Sequence, residues 1–368
     1  MDINSALQAL RDPLGLPFFP WVFQLLMVLT FALHILFVNL VVGGIAIAVY
    51  GHFKGGEFNR RLSKALAQVS TINLSLAIVL AVAPLLFVQV IYDPFWYVSN
   101  SLSAWWTMVF LLVVALGFLA NYVFYLKRKN KPQGYGLFGM MGLVLVFCAG
   151  IIISALSVQA LAPGEWLKWY AAGGGELVTS GTSLYRFELG RFSHFMVPAF
   201  INTGIFMMLY AWYFRPRADF DGAYLDWVGQ TGARVAKIAA MIQVVVGFWW
   251  LLAVPADLHF MKNPFLWIGV SLGLLLLVGL MKGQYEPDRY AIPLVLLSFV
   301  AILGMGTARE ALRMTYLGVF EYSIYDYPVN VDWGSTALFW GTFVMGLVVI
   351  AYPIMVAFKL GRGTLTES

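Results

Sequence analysis

The 368-residue chain is 61% hydrophobic and 11% charged, with a mean hydropathy of +0.80. No soluble domain has interior enough to hide that much apolar surface, so a water-soluble globule is excluded and a polytopic membrane protein is expected. The net charge of +5 and pI near 9.1 call for no nucleic acid, because basic loops facing anionic lipid account for them.

The single cysteine, Cys148, lies in an apolar run. It rules out an internal disulfide framework, an iron–sulfur cluster held by this chain's own thiolates, and thioether attachment of a c-type haem. The opening residues Met1-Asp2-Ile3-Asn4 lack a basic n-region and the first apolar run is too long for a signal-peptide core, so no cleavable signal is expected.

In chain order, apolar runs long enough to span a bilayer are predicted as helices at about 19–51, 68–92, 104–126, 136–161, 192–214, 235–255, 264–281, 290–315 and 334–358. The fold class is therefore all-α, a polytopic bundle of about nine transmembrane helices. A single transmembrane helical domain is expected over 1–368, with 1–18 as an outer N-terminal segment and 162–191 as an outer loop. That loop contains Gly173-Gly174-Gly175, and Glu165-Trp166-Leu167-Lys168-Trp169-Tyr170 within it suits a short interfacial helix. Orientation follows from the basic residues, which are retained on the cytoplasmic side. Lys54, Arg60, Arg61, Lys64, Lys127, Arg128, Lys129, Lys131, Arg215, Arg217, Arg234, Lys237, Lys282, Arg289, Lys359 and Arg362, 16 of the 23, fall on one side. Asp93, Glu165, Glu176, Asp257, Glu321, Asp326 and Asp332 fall on the other. The N-terminus is accordingly placed outside and the C-terminus inside.

The chemistry begins on the first span, where Leu29-Thr30-Phe31-Ala32-Leu33-His34-Ile35-Leu36-Phe37-Val38-Asn39-Leu40 carries an imidazole at membrane depth. Two readings stand: a histidine satisfied by a carbonyl or hydroxyl of the next helix, or a cofactor ligand. His52, among inner basic residues, needs no cofactor to explain it. His194 stands at the outer end of the fifth span beside Arg186 and Arg191, whose guanidinium groups suit the carboxylates of a haem. His259 lies in the outer connection between the sixth and seventh spans, as a solvated loop residue or a second ligand. The eighth span ends in Gly304-Met305-Gly306-Thr307-Ala308-Arg309-Glu310-Ala311-Leu312-Arg313-Met314, which puts Glu310 and Arg313 on one helix face. Glu310 reads either as a salt-bridged helix end or as a ligating carboxylate.

Ala32-Leu33-His34-Ile35-Leu36-Phe37, Ser154-Ala155-Leu156-Ser157-Val158-Gln159, Arg191-Phe192-Ser193-His194 and Ala308-Arg309-Glu310-Ala311-Leu312-Arg313-Met314-Thr315-Tyr316, in that order, resemble subunit I of the cytochrome bd quinol oxidases. The resemblance implies that His34 matches the first-helix histidine of the two-haem oxygen-reducing site and Glu310 the carboxylate ligand of the high-spin b haem. It implies that His194 matches the histidine of the low-spin b haem and Arg313 the arginine that follows the glutamate. This sequence also departs from the family. The seventh span offers no methionine ligand, leaving Met261 or His259 as substitutes, and only Pro255 to Asn263 connects the sixth and seventh spans where the family has its quinol loop. The third span, which bears proton-delivering carboxylates in the family, contains no acid, and Glu310 is the only acidic residue placed within a predicted span.

The expected function is a haem b-binding integral membrane electron-transfer subunit of a respiratory complex. It would move electrons between membrane quinol and a periplasmic c-type cytochrome or partner haem subunit. Two or more b haems are expected, with haem d disfavoured. The metal ligands would be His34, His194 and Glu310, with Arg313, Arg191, Arg186, His259 and Met261 as further cofactor-binding candidates. Partners are membrane lipid, quinol or quinone and other membrane subunits, in a bacterial or archaeal cytoplasmic (inner) membrane. Gln89, Tyr92 and Asp93 are candidates for a quinone contact or for the lipid interface. Competing readings are a divergent terminal quinol:oxygen reductase, an oxidoreductase in its own right, and a haem-free anchor subunit.

Overall fold

Proline starts many of the helices: Pro20, Pro163, Pro198, Pro264 and Pro287 each occupy a first helical position, where the missing N–H would have had no partner in any case. Elsewhere a carboxylate or amide closes the first turn, as where Asp221 accepts from the Ala223 N–H and Asn263 from the Phe265 N–H. The result, in a computed structural model that describes residues 2–127, 135–172 and 176–362, is thirteen α-helices and one short antiparallel strand pair. Met1, Arg128, Lys129, Lys131 and Gly173-Gly174-Gly175 lie outside the described residues.

The helices are α1 (Ile3–Ala9), α2 (Pro20–Lys54), α3 (Glu57–Ile91), α4 (Asp93–Leu102), α5 (Ala104–Lys127), α6 (Gly136–Gln159), α7 (Pro163–Tyr170), α8 (Leu189–Met196), α9 (Pro198–Phe214), α10 (Gly222–Ala253), α11 (Pro264–Gly283), α12 (Pro287–Gly318) and α13 (Trp333–Gly361). Among the described residues nine segments are long and apolar enough to cross a membrane, α8 and α9 together forming the fifth. The all-α membrane fold expected from the sequence is thus the fold observed. The second and sixth spans begin well before the apolar runs at 68 and 235, because their first turns are amphipathic. Leu62, Leu66, Tyr224, Leu225 and Val228 are buried there although charged residues, basic in the second span and acidic in the sixth, stand close to them in sequence. The short helix expected at 165–170 is present as α7.

α2 packs along α3, α5 along α6, α9 along α10 and α11 along α12, while α2, α9 and α12 meet in the middle. At the α9–α10 crossing a Cβ on Gly204 would lie 2.5 Å from the Gly232 carbonyl oxygen, so only glycine lets the two backbones approach. One end of the bundle carries Lys54, Arg215, Arg217, Lys282 and Lys359. There Arg215 bridges to Asp226 and to Asp288, 2.6 Å in each case, and ties α9 to α10 and α12. The opposite end is capped by a second core in which Leu7, Leu16, Ile91, Phe95, Trp166, Leu317 and Tyr322 pack together. The segments before α2, after α3, around α7 and after α12 therefore close over the end at which His194 and Glu310 lie. α13 is almost wholly exposed along its length.

Candidate functional site

Pro198, with no N–H, cannot donate to the carbonyl of His194 one helical turn earlier, and the fifth span is interrupted there into α8 and α9. The freed carbonyl is taken by another helix: Gln243 Nε2 on α10 donates to His194 O at 3.1 Å and lies 3.0 Å from His194 Nδ1. Gly247, one turn along α10, leaves room for the imidazole, since a Cβ there would meet His194 Cε1 and Nδ1 at 3.4 Å. The Trp250 ring lies 4.9 Å from the imidazole. His194 is fixed on two sides.

Its remaining side faces a cavity of about 220 Å³ between α2, α8, α9, α10, α11 and α12. Packed interiors hold few voids larger than one water, so a cleft of this size is a built feature. The lining is mostly apolar and includes Gly247, Gly269, Gly273 and Gly306, positions without a side chain. Its polar groups stand at two levels. Towards the capped end are His194, Gln243, Met305 and Arg309, and deeper are Asn39, Asn202 and Ser298. Phe248, Trp267 and Leu274 border the cavity and are also exposed on the outer surface, so it opens sideways between α10 and α11. A second hollow at the basic end, among Lys282, Tyr285 and Glu286, holds no histidine.

Arg309 is the charged residue among those lining the cavity. Its guanidinium stacks over Phe31 at 4.3 Å, and among the described residues no carboxylate lies within ion-pair distance of it. Glu310, the next residue, points elsewhere because successive residues on a helix differ by about 100°. Glu310 is buried, and its carboxylate is held by the chain itself. Arg313 Nη1 donates to Oε2 at 3.0 Å, and Gln24 Nε2 at 3.3 Å and the Tyr92 hydroxyl donate to Oε1. Tyr325 OH in turn donates to Gln24 Oε1 at 2.6 Å. Burial, then the neighbouring carboxylate, holds the Tyr92 hydroxyl well above its ordinary pKa, so Tyr92 remains a donor.

The structure separates the histidines. His34 does not line the cavity; it turns to α3, where Nδ1 lies 2.9 Å from the carbonyl oxygen of Ala77. That is the carbonyl-satisfied geometry of the first reading, and it also fixes a tautomer, since a carbonyl only accepts. The proton is on Nδ1 and the Nε2 lone pair is open, the form in which histidine ligates metal. His52 packs against Phe53 and Phe124 near the basic end. His259 is exposed, in a left-handed backbone conformation, with Nδ1 turned to Ala256 O at 3.1 Å. Met261 is 50% exposed. Neither lines the cavity, so the structure does not bring either substitute to His194; the tight loop of two 3-10 turns faces both outward. Arg186 bridges to Glu188 at 3.1 Å, and Arg191 is buried within electrostatic range of Arg313 and Arg309. Tyr92 and Asp93 do not form a lipid-facing pair: Tyr92 is buried against Glu310, and Asp93 accepts from the Tyr327 hydroxyl. Among the described residues no three His, Cys, Asp or Glu side chains converge as a metal-ion site.

Five of the cavity's polar or sulfur-bearing residues carried no weight in the sequence reading: Gln243, Met305, Asn39, Asn202 and Ser298. The signals were a lone amide in the apolar run around Ile242-Gln243-Val244, and a methionine four residues before Arg309, hence on the same helix face.

The sequence matches no protein-family model and no curated protein. The fold matches a solved structure, the bd oxidase from Geobacillus thermodenitrificans, with a TM-score of 0.68 at 11% sequence identity, over 93% of this chain and 98% of that chain. The likeness is one of fold.

Proposed function

We propose that this chain is a haem-binding, electron-carrying membrane subunit of a respiratory complex. The observation that carries the reading is the His194 cavity, where an imidazole, a thioether and a guanidinium converge on an apolar, glycine-walled cleft. The donor set fits a haem. Imidazole and thioether are its axial ligands in many cytochromes, and arginine binds carboxylates of the kind its propionates bear. His194 and Met305 would hold the iron and Arg309 a propionate, in place of the Met261 or His259 expected from the sequence alone. A bound haem supplies a one-electron ferric/ferrous couple. The chain's own part is to orient the imidazole through Gln243, exclude water with the walls of α10 and α11, and present uncompensated positive charge at the capped end.

Glu310 takes a different part in this reading from the ligand role implied by the resemblance. Each of its oxygens already accepts from this chain's donors, which suits the counter-ion of Arg313. His34, with Nε2 open, is the ligand candidate for a second haem. With the basic end inside, the His194 end faces outward, so a periplasmic c-type cytochrome or a partner haem subunit is the electron partner on that side. Quinol is the partner within a bacterial or archaeal cytoplasmic membrane.

The test is a reduced-minus-oxidised spectrum with pyridine haemochrome counting on the full chain purified in detergent. Wild type should show b-type haem, His194→Ala should lose the low-spin signal, Met305→Leu should convert it to high spin, and His52→Ala should change nothing. A wild-type chain without Soret absorbance overturns the proposal in favour of a haem-free anchor.

A further inference from the structure

α10 packs along α9 and α11 along α12, but α10 and α11 meet each other only sparsely, and the seam between them faces outward. Helical spacing gives each wall of the seam a stripe. On α10 it runs through Lys237, Met241, Val244 and Phe248, and on α11 through Lys282, Val278 and Leu274. Met241, Phe248, Val278 and Leu274 are exposed. Phe248 and Leu274 end the stripes at the side opening of the His194 cavity. At the other end each stripe finishes in a lysine. Lys237 opens the apolar run of the sixth span and Lys282 closes that of the seventh, so both stand at headgroup level. Lys237 donates to Gln284, which with Lys282, Tyr285 and Glu286 lines a hollow of about 510 Å³. Glu286, the carboxylate of that lining, is held by Arg289 at 3.0 Å. Among the described residues neither Lys237 nor Lys282 has an ion-pair partner.

We propose that the seam seats one anionic phospholipid from the leaflet at the basic end, with its phosphate at the hollow beside Lys237 and Lys282 and one acyl tail along the two stripes. Charge selects the head. Unpaired ammonium groups at headgroup level attract a phosphate diester, whereas a zwitterionic head offsets the attraction with its own cation. The lengths agree as well. From Lys237 to Phe248 α10 rises by about 16 Å, and from Lys282 to Leu274 α11 rises by about 12 Å. The tails of one leaflet occupy about 15 Å, half of the hydrocarbon core. The tail therefore ends between Phe248 and Leu274 and closes the side on which the cavity lies open. Neither lysine lines the cavity, so the haem-free chain holds the lipid too.

The experiment is native mass spectrometry of the full chain, delipidated in detergent and titrated with dioleoylphosphatidylglycerol, dioleoylphosphatidylcholine or inorganic phosphate. Wild type should bind one phosphatidylglycerol, and the other two about tenfold more weakly or less. Lys237→Gln/Lys282→Gln should weaken phosphatidylglycerol binding by about thirtyfold, and Lys282→Arg should keep it. Should the double variant not fold, Lys282→Gln alone reads the head contact. The tail is read by fluorescence. Phosphatidylglycerol brominated at the tail end should quench a tryptophan introduced by Phe248→Trp, and spare one introduced by Leu116→Trp on the exposed face of α5. Equal binding of phosphatidylcholine, binding unchanged in the lysine variants, or equal quenching at the two positions overturns the proposal. Phosphate bound as tightly as the lipid marks a free-anion site and overturns it as well, as does a dimer in place of the lipid adduct.

Discussion

Removing the carboxylate of Glu310 should damage the fold more than any other single change near the cavity. The pair with Arg313 spans 3.0 Å, with side chains only 7% and 12% exposed. Unit charges about 4 Å apart attract by roughly 4 kcal/mol at an effective dielectric near 20. Much of that offsets the desolvation of forming the pair. Glu310→Ala removes the attraction and leaves the Arg313 charge buried, while Gln24 and Tyr92 lose their acceptor, so about 3–5 kcal/mol of destabilisation is expected. Arg313→Met alone should cost a similar amount by stranding the carboxylate. The double variant Glu310→Leu/Arg313→Met removes both charges and should cost far less than the roughly 6–10 kcal/mol that additive single losses would give, so the coupling energy should be about 5 kcal/mol or more. Thermal unfolding of the detergent-solubilised chain, followed by the fluorescence of its 13 tryptophans, measures all four corners of the cycle. Additive single losses, or a Glu310→Ala protein as stable as wild type, would refute a buried ion pair. A Glu310→Gln protein that stays folded but loses haem would restore the ligand role.

Three further outcomes are expected. Gly204→Leu forces side-chain atoms against the Gly232 carbonyl and should destabilise the α9–α10 crossing by about 1–3 kcal/mol, read as a lowered unfolding midpoint. Asp93 is held above the ordinary carboxylate range, chiefly by burial. An acid with a raised folded-state pKa binds its proton more tightly when folded, so its contribution favours the fold at low pH and declines as pH rises through the carboxylate range towards the raised value. Asp93→Asn keeps an acceptor for Tyr327 and should raise the unfolding midpoint near neutral pH while leaving it unchanged in acid. His34→Ala should leave the His194-dependent haem signal intact, because His34 does not line that cavity; haem counting would show whether a second signal disappears.

The helices were legible in the sequence because length and apolarity alone define a span, and among the described residues the nine predicted runs meet nine membrane-length segments, departing most at amphipathic starts such as 57–67 and 222–234. The first-turn side chains there alternate between water and core, which a run of apolar residues does not register. The site was legible only in part. His194 and the Glu310–Arg313 pairing follow from helical spacing within one segment. Which way a residue faces across helices does not: Arg309 and Glu310 are adjacent in sequence yet one looks into the cavity and the other onto Tyr92. Met305 and Gln243 gained meaning only when α12 and α10 were seen to share a wall with α8. The connection from Pro255 to Asn263 turns His259 and Met261 outward, away from the cavity, and the composition of a short loop does not register that direction.

Charge balance near the cavity makes the last prediction. Arg186, Arg191, Arg309 and Arg313 lie within electrostatic range along the capped end, against Glu188 and Glu310. Four cations against two carboxylates leave an excess of two, and one of the unmatched guanidinium groups, that of Arg309, borders the apolar cleft. Holding such a charge half-buried without an ion-pair partner is costly, and cation–π contact with Phe31 recovers only about 1–2 kcal/mol of it. On the proposed reading a haem would bring two propionates, whose charge offsets this excess. Loading should raise the unfolding midpoint strongly. Arg309→Leu should do two opposite things at once: stabilise the haem-free chain, because an unpaired half-buried charge is gone, and weaken haem binding by about tenfold or more, the equivalent of one charge-assisted hydrogen bond. Retention of haem measured by gel filtration of both proteins, alongside the midpoints of the haem-free forms, tests the pair of signs. If Arg309→Leu destabilises the haem-free chain and leaves haem retention as in wild type, the guanidinium is a packing element and the charge argument fails.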